Sequence, residues 1–233
     1  LTGTLTAAVD QDAGTLSAAA VVGDVDQDGG TMTVTGSVTG DVTQNGTSSD
    51  SFTAASVSGD VTQESGNLAT VTTGSIGGNL EQSGGKVGAP GDALTVTGTT
   101  TQNGGEIGDD NDAITLNGKL TQTAGTVSAD TLTANDGAEI SDTVTAATAL
   151  TAAGKDVEVK TGGSLTAPTG TAANLTTAGN VTALTEINAN VEQKAGTLNA
   201  GDVNGTTFKQ TDGAATLTGT LTAAVDQDAG TLS

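Results

Sequence analysis

Short stretches in which aliphatic and polar residues alternate recur along the chain, each closed by a glutamine and then a glycine. The pattern is aliphatic–x–Gln–x–small–Gly–x–aliphatic: Val25-Asp-Gln27-Asp-Gly-Gly30-Thr-Met32, Leu80-Glu-Gln82-Ser-Gly-Gly85-Lys-Val87 and Leu120-Thr-Gln122-Thr-Ala-Gly125-Thr-Val127. A period of two is the signature of a strand, whose side chains alternate between its faces. Two residues before each Gln stand Val9, Val25, Val42, Val61, Leu80, Leu120, Val191, Phe208 and Val225, with Thr100 the exception. If these point inward, so does the Gln. Asp10, Asp12, Asp26, Asp28, Thr43, Asn45, Glu81 and Lys194 then face out, and all are polar. The Gly three residues after Gln, replaced by Thr47 in one copy, predicts a corner. A second short strand follows, as in residues 31–35 and 94–97. Helical periodicity is hard to find, and Thr and Gly are poor helix formers.

The glutamines keep time. Gln11, Gln27, Gln44, Gln63, Gln82, Gln102 and Gln122 are separated by 16, 17, 19, 19, 20 and 20 residues, and Gln193, Gln210 and Gln227 by 17 and 17. The gap of 71 residues between Gln122 and Gln193 is close to four steps. Within it Leu132-Thr133-Ala134, Leu150-Thr151-Ala152 and Leu165-Thr166-Ala167 resemble copies in which Ala replaces Gln. A larger period encloses the small one. Residues 1–17 and 217–233 are identical, an offset of 216. Residues 1–216 therefore read as one unit of about twelve small repeats, and 217–233 as the start of the next identical unit. The pattern is already running at Leu1, as expected of a segment of a longer chain.

A stretch of about 18 residues with short strands and Gly corners cannot bury a core alone, but stacked stretches can. The expected fold is all-β: a parallel β-solenoid of about twelve coils per 216-residue unit. Equivalent positions would then stack about 4.8 Å apart, giving a rod of roughly 58 Å per unit. An inward Gln column can hydrogen-bond along the axis, as amide ladders do in cross-β stacks. It also resists slipped register, which would strand buried amides.

Residues 120–133, Leu-Thr-Gln-Thr-Ala-Gly-Thr-Val-Ser-Ala-Asp-Thr-Leu-Thr, resemble the β-helix repeats of filamentous-haemagglutinin-type adhesins and autotransporter passenger domains. The resemblance covers most of the chain through a loose motif, and the amide common in that class is Asn where this chain has Gln. It implies a right-handed β-helix and a secreted bacterial surface protein, usually a stalk or adhesin. It transfers no catalytic residues.

Composition narrows the function. There is no Cys, His, Trp or Tyr, and the six basic residues are all Lys, so Arg is absent as well. Without Cys there is no disulfide, thiolate nucleophile or zinc-thiolate site. Without His the usual general base and the commonest transition-metal ligand are missing. A net charge of −21 argues against nucleic-acid and anionic-membrane partners. No apolar run is long enough to span a bilayer.

Asp24-Val-Asp26-Gln-Asp28-Gly29 matches the first half of a calcium loop, but its twelfth position is Thr35 rather than Glu, which rejects an EF-hand. Asp10, Asp12, Asp24, Asp26, Asp28 and Asp41 remain candidate calcium ligands, since carboxylates stacked one coil apart repel unless cations or solvent relieve them. The bare acidic face is the favoured alternative. The acidic run Gly108-Asp109-Asp110-Asn111-Asp112 is expected to be a solvated loop. Asp24 with Asp26, or Asp109 with Asp112, could be read as catalytic carboxylate pairs. In so acidic a chain such pairs are inevitable, and with no Arg, His or aromatic subsite no enzyme is expected. Thr31/Thr33/Thr35, Thr95/Thr97 and Thr131/Thr133 suggest an ice-binding row, against the plainer fact that Thr is a good strand residue.

The sequence thus favours a structural segment of a long extracellular or cell-surface fibre made of tandem solenoid units. Its partner would be itself, as end-to-end continuation or homopolymer filament, with lateral bundling through divalent cations. An adhesin stalk binding host or matrix glycans is the alternative.

Overall fold

The computed structural model describes residues 3–47, 49–64, 67–88 and 93–233, with the backbone alone for 67–73. Every described strand pairs in parallel with one a coil away, and the strands form one continuous sheet wound into a β-solenoid of twelve turns. Each coil has three sides, not the two strands per repeat that the sequence pattern suggests.

The first side carries the glutamines, beginning with the three-residue strands Val9–Gln11, Val25–Gln27 and Val42–Gln44. Its column runs Gln11, Gln27, Gln44, Gln63, Gln82, Gln102 and Gln122 in exact register. It continues through Ile140, Val159 and Thr177, then returns to Gln193, Gln210 and Gln227. Three coils thus fill the gap, and their column residues are Ile, Val and Thr.

The second side stacks Leu16, Met32 and Phe52, passes the backbone of residue 68, and continues with Val87, Ile107, Val127 and Val144, then Leu165, Val181, Leu198, Ala215 and Leu232. The third side begins Leu5, Val21, Val38, Val57, Ile76, Val96 and Leu116. It widens by a second inward row, Leu94, Ile114, Leu132 and Leu150.

The Leu-Thr-Ala segments are therefore not copies of the glutamine strand. Leu132-Thr133-Ala134 and Leu150-Thr151-Ala152 lie on the third side, and Leu165 lies on the second. Likewise residues 31–34 belong to the second side and 94–96 to the third. Period-two alternation alone cannot tell one side of a solenoid from another.

The core is the shared interior of these columns. Met32, Phe52, Ile76, Leu94, Ile107, Leu120, Leu132 and Phe208 are fully buried. Each such side chain contributes about 1.5–3 kcal/mol by leaving water. The apolar part of the interior takes both aromatic residues, Phe52 and Phe208, and otherwise Val, Leu, Ile, Ala and Met. Where the third side reaches Gly170, beside Ala172 and Ala167, the filling thins to a small apolar void of about 20 Å3.

Candidate functional site

The glutamine column is the most unusual interior feature. Gln27, Gln44, Gln63, Gln82, Gln102, Gln193 and Gln210 are 0 % exposed, so their amides must find partners inside. They find them along the axis. Nε2 of Gln44 donates to Oε1 of Gln27 at 3.1 Å, and the same bond links Gln63 to Gln44, Gln82 to Gln63, Gln102 to Gln82 and Gln122 to Gln102 at 3.1–3.2 Å. Gln210 donates to Gln193, and Gln227 to Gln210. At Gln11 and Gln27 the register holds, but Gln27 donates to the carbonyls of Gly30 and Ser51, and Oε1 of Gln11 is buried without a partner.

The same amides clamp the corner. Nε2 of Gln122 also donates to the carbonyl of Gly125 at 2.9 Å and to that of Thr143, one coil on, at 3.0 Å. Gly125 has φ +93, and a Cβ there would fall 2.6 Å from the Gly105 carbonyl. Gln and Gly therefore recur together: the corner needs a residue with no side chain and an inward donor for its carbonyl.

The ladder ends by capping. The backbone N–H of Asp142 faces Gln122 Oε1 at 3.4 Å, while the Asp142 carboxylate accepts from Gly125 N–H at 2.9 Å. In the last coil of the gap the Thr177 hydroxyl donates to the Gly179 carbonyl at 3.1 Å. Outside the same coils, Lys119 and Lys160 both donate to Glu139, and Lys160 also approaches Glu158 at 3.8 Å. A half-buried ion-pair ladder thus flanks the interruption of the buried amide ladder.

A second ladder runs along another corner, and sequence reasoning missed it. Oδ1 of Asp24 accepts the backbone N–H of Asp41, Asp41 that of Asp60, and Asp60 that of Asn79, at 3.0, 2.8 and 2.7 Å. Asn79 in turn accepts from Thr99 N–H and hydroxyl. The available signal was the dipeptide before each aliphatic: Gly23-Asp24, Gly40-Asp41, Gly59-Asp60 and Gly78-Asn79. The glycine is required because the next coil lies directly on the carboxylate; a Cβ on Gly40 would sit 2.7 Å from Asp24 Oδ1 and 2.5 Å from the Gly23 carbonyl.

Between this corner and the outward row of the glutamine strand lies a shallow furrow. Near the first coils it encloses about 430 Å3, lined by Asp10, Asp24, Asp26, Asp41 and Thr43. It recurs at Asp60, Asn79 and Glu81, and at Asp156, Asn174, Asn190, Glu192 and Lys209 it reaches about 550 Å3.

The six aspartates considered for calcium are thus divided. Asp10, Asp24, Asp26 and Asp41 line the furrow; Asp12 and Asp28 lie beyond Gln11 and Gln27, where Asp28 accepts from Asn45 Nδ2. Asp24 and Asp41 already accept backbone N–H groups. Asp26 stacks on Asp10, and its carboxyl is held above the ordinary range by desolvation first and then by the charges of Asp28, Asp10 and Asp12. Among the described residues no group of three or more acidic side chains is gathered as a metal site.

In the acidic run, Asp110 and Asn111 are exposed as expected, but Asp112 is fully buried, and its Oδ2 accepts Asp109 N–H at 2.9 Å. The threonine rows do not share a face: Thr31 and Thr33 lie on the second side, Thr95 and Thr133 on the third. No helix among the described residues is long and apolar enough to cross a membrane.

Comparison with family models, curated proteins and solved structures finds no match for this chain.

Proposed function

We propose that this chain is a structural segment of a long extracellular or cell-surface fibre built from tandem β-solenoid units, related in kind to the repeats of filamentous-haemagglutinin-type surface proteins. The observation that carries this reading is the closure of the period. The first-side column leaves Gln11 and arrives, twelve coils later, at Gln227, which repeats Gln11 in an identical seventeen-residue sequence. The second-side column likewise leaves Leu16 and arrives at Leu232. A unit that ends in the phase in which it began is stacked again without a seam. Such a rod bears load through backbone ladders and buried amide bonds, and its charge of −21 keeps neighbouring rods apart unless divalent cations such as calcium bridge them.

The furrow of about 550 Å3, with its carboxylates and amides at Asp156, Asn174, Asn190 and Glu192, favours a second reading, a stalk that holds hydroxyl-rich glycans. Electron microscopy of the native material separates the two. Continuous filaments of one width support the fibre; short rods ending in a distinct knob overturn it in favour of the stalk. A denaturing gel of the same material distinguishes one giant chain from stacked subunits.

A further inference from the structure

Where the interior amide ladder stops, the bonds along the axis move to the outside of the rod. From Gln122 the column passes Ile140, Val159 and Thr177 before it reaches Gln193. Ile and Val have no polar side-chain atom, the Thr177 hydroxyl donates within its own coil to Gly179, and Gln193 donates to Gly196 and Ala214. Four coil junctions thus have no bond between column side chains. The first two are crossed instead by ion pairs: Lys119 to Glu139, then Lys160 to Glu139 at 2.9 Å and Lys155 to Asp136 at 2.6 Å. The next two are crossed by exposed amides: Asn174 Nδ2 donates to Asp156 Oδ1 at 2.7 Å, and Asn190 Nδ2 to Asn174 Oδ1 at 3.2 Å. The apolar filling is thin in the same coils. Leu150 is followed in its row by Gly170, where an added Cβ would meet nothing within 4 Å, and the void of about 20 Å3 lies there.

We infer that the coils holding Ile140, Val159 and Thr177 form a compliant joint in the rod, one that opens before the glutamine coils and whose stiffness follows ionic strength. A buried amide bond is shielded from water and from salt. A bond at the surface competes with water, and an ion pair there is screened as well, over a Debye length of about 3 Å at 1 M salt. The chain carries its own control. Lys86 pairs with Glu106 at 3.1 Å, but beneath that pair Gln102 still donates to Gln82, and Gln82 to Gln63. Screening Lys86 leaves those buried bonds in place. General screening of a chain with net charge −21 acts in the opposite sense, since it relieves repulsion and tightens the stack. Loosening by salt is therefore specific to coils held by ion pairs. The joint is a property of the coil stack and would serve a stalk as well as a fibre.

Residue-resolved amide hydrogen exchange of the full chain tests this at low salt and in about 1 M potassium chloride. At low salt the first-side amides of residues 138–140, 157–159 and 175–177 are expected to exchange about tenfold faster than those of 80–82 and 100–102, the equivalent of roughly one net hydrogen bond. Potassium chloride should speed exchange at 138–140 and 157–159 a further two- to fivefold, about the worth of a surface ion pair, and leave 80–82 and 100–102 unchanged or slower. Glu139→Gln removes the carboxylate that Lys119 and Lys160 share, so its amides at 138–140 and 157–159 should exchange quickly already at low salt and lose most of their response to salt. Equal protection of the two sets of strands in the unaltered chain overturns the joint, and that comparison needs no variant. Exchange that salt slows or leaves unchanged at 138–140 and 157–159, or a salt response that Glu139→Gln keeps in full, overturns its control by ionic strength.

Discussion

Gln82 donates its amide hydrogen to Gln63 Oε1 at 3.2 Å across 19 residues of sequence, and both side chains are sealed from solvent. The same Gln82 amide serves the carbonyls of Gly85 and Glu106, and its Oε1 receives Gln102. Replacing Gln82 by Leu strands these groups together. Each unsatisfied buried group costs about 1–3 kcal/mol, so urea unfolding should show a loss of roughly 2–4 kcal/mol. Gln227→Leu, at an exposed position, should cost less than about 1 kcal/mol. Equal losses at the two positions would refute a buried ladder as the stabilising element.

Thr100 occupies an aliphatic position between Leu80 and Leu120, fully buried, with a hydroxyl that has no partner. Thr100→Val keeps the shape and removes an unsatisfied polar group. It should raise stability by about 1 kcal/mol, read as a shift of the denaturation midpoint.

One substitution should have opposite signs at two glycines. At Gly170 an added Cβ meets nothing within 4 Å and points into the thinly filled interior. Gly170→Ala should stabilise by about 1 kcal/mol, from a buried methyl and a less flexible unfolded chain. At Gly59 an added Cβ would meet the Gly40 carbonyl at 2.5 Å and the Asp41 carboxylate beneath it. Gly59→Ala should cost about 1–3 kcal/mol through forced separation of the coils. Thermal melts of the pair decide it.

Two carboxylates should respond oppositely to pH. The hydrogen bonds of Lys119 and then Lys160 hold Glu139 below its ordinary range, so its stabilisation is present at neutral pH and is lost as pH falls through its lowered pKa. Glu139→Gln should lower the melting temperature by about 1–4 °C at pH 7 in low salt, and the difference should shrink as acid takes the pH through the lowered value. Asp26 is raised by desolvation and by its acidic neighbours, so its favourable state is the protonated one, lost as pH rises through the raised value. Asp26→Asn should therefore raise the melting temperature at pH 7, an effect that salt diminishes and acid removes.

Much of this architecture was legible because a solenoid writes its period into one dimension. The spacing of Gln11 through Gln122 gave the coil length, and the identity of residues 1–17 with 217–233 gave the unit. The middle was not legible. Ile140, Val159 and Thr177 hold the same column as glutamine, yet nothing local distinguishes them from aliphatics on the other two sides. The aspartate ladder escaped for a related reason. Asp24 and Asp41 read as ligand candidates because carboxylates suggest cations, whereas their actual partners are backbone N–H groups supplied by the next coil.

The sequence by itself determined that this chain stacks, how often it turns and that glutamine lies within, because period and alternation are properties of neighbours along the chain. Only the tertiary structure decided that each coil has three sides, that Asp112 is buried and that Lys119 and Lys160 share Glu139. Those facts depend on which residues meet across coils, and local alternation looks the same whichever side a strand comes to occupy.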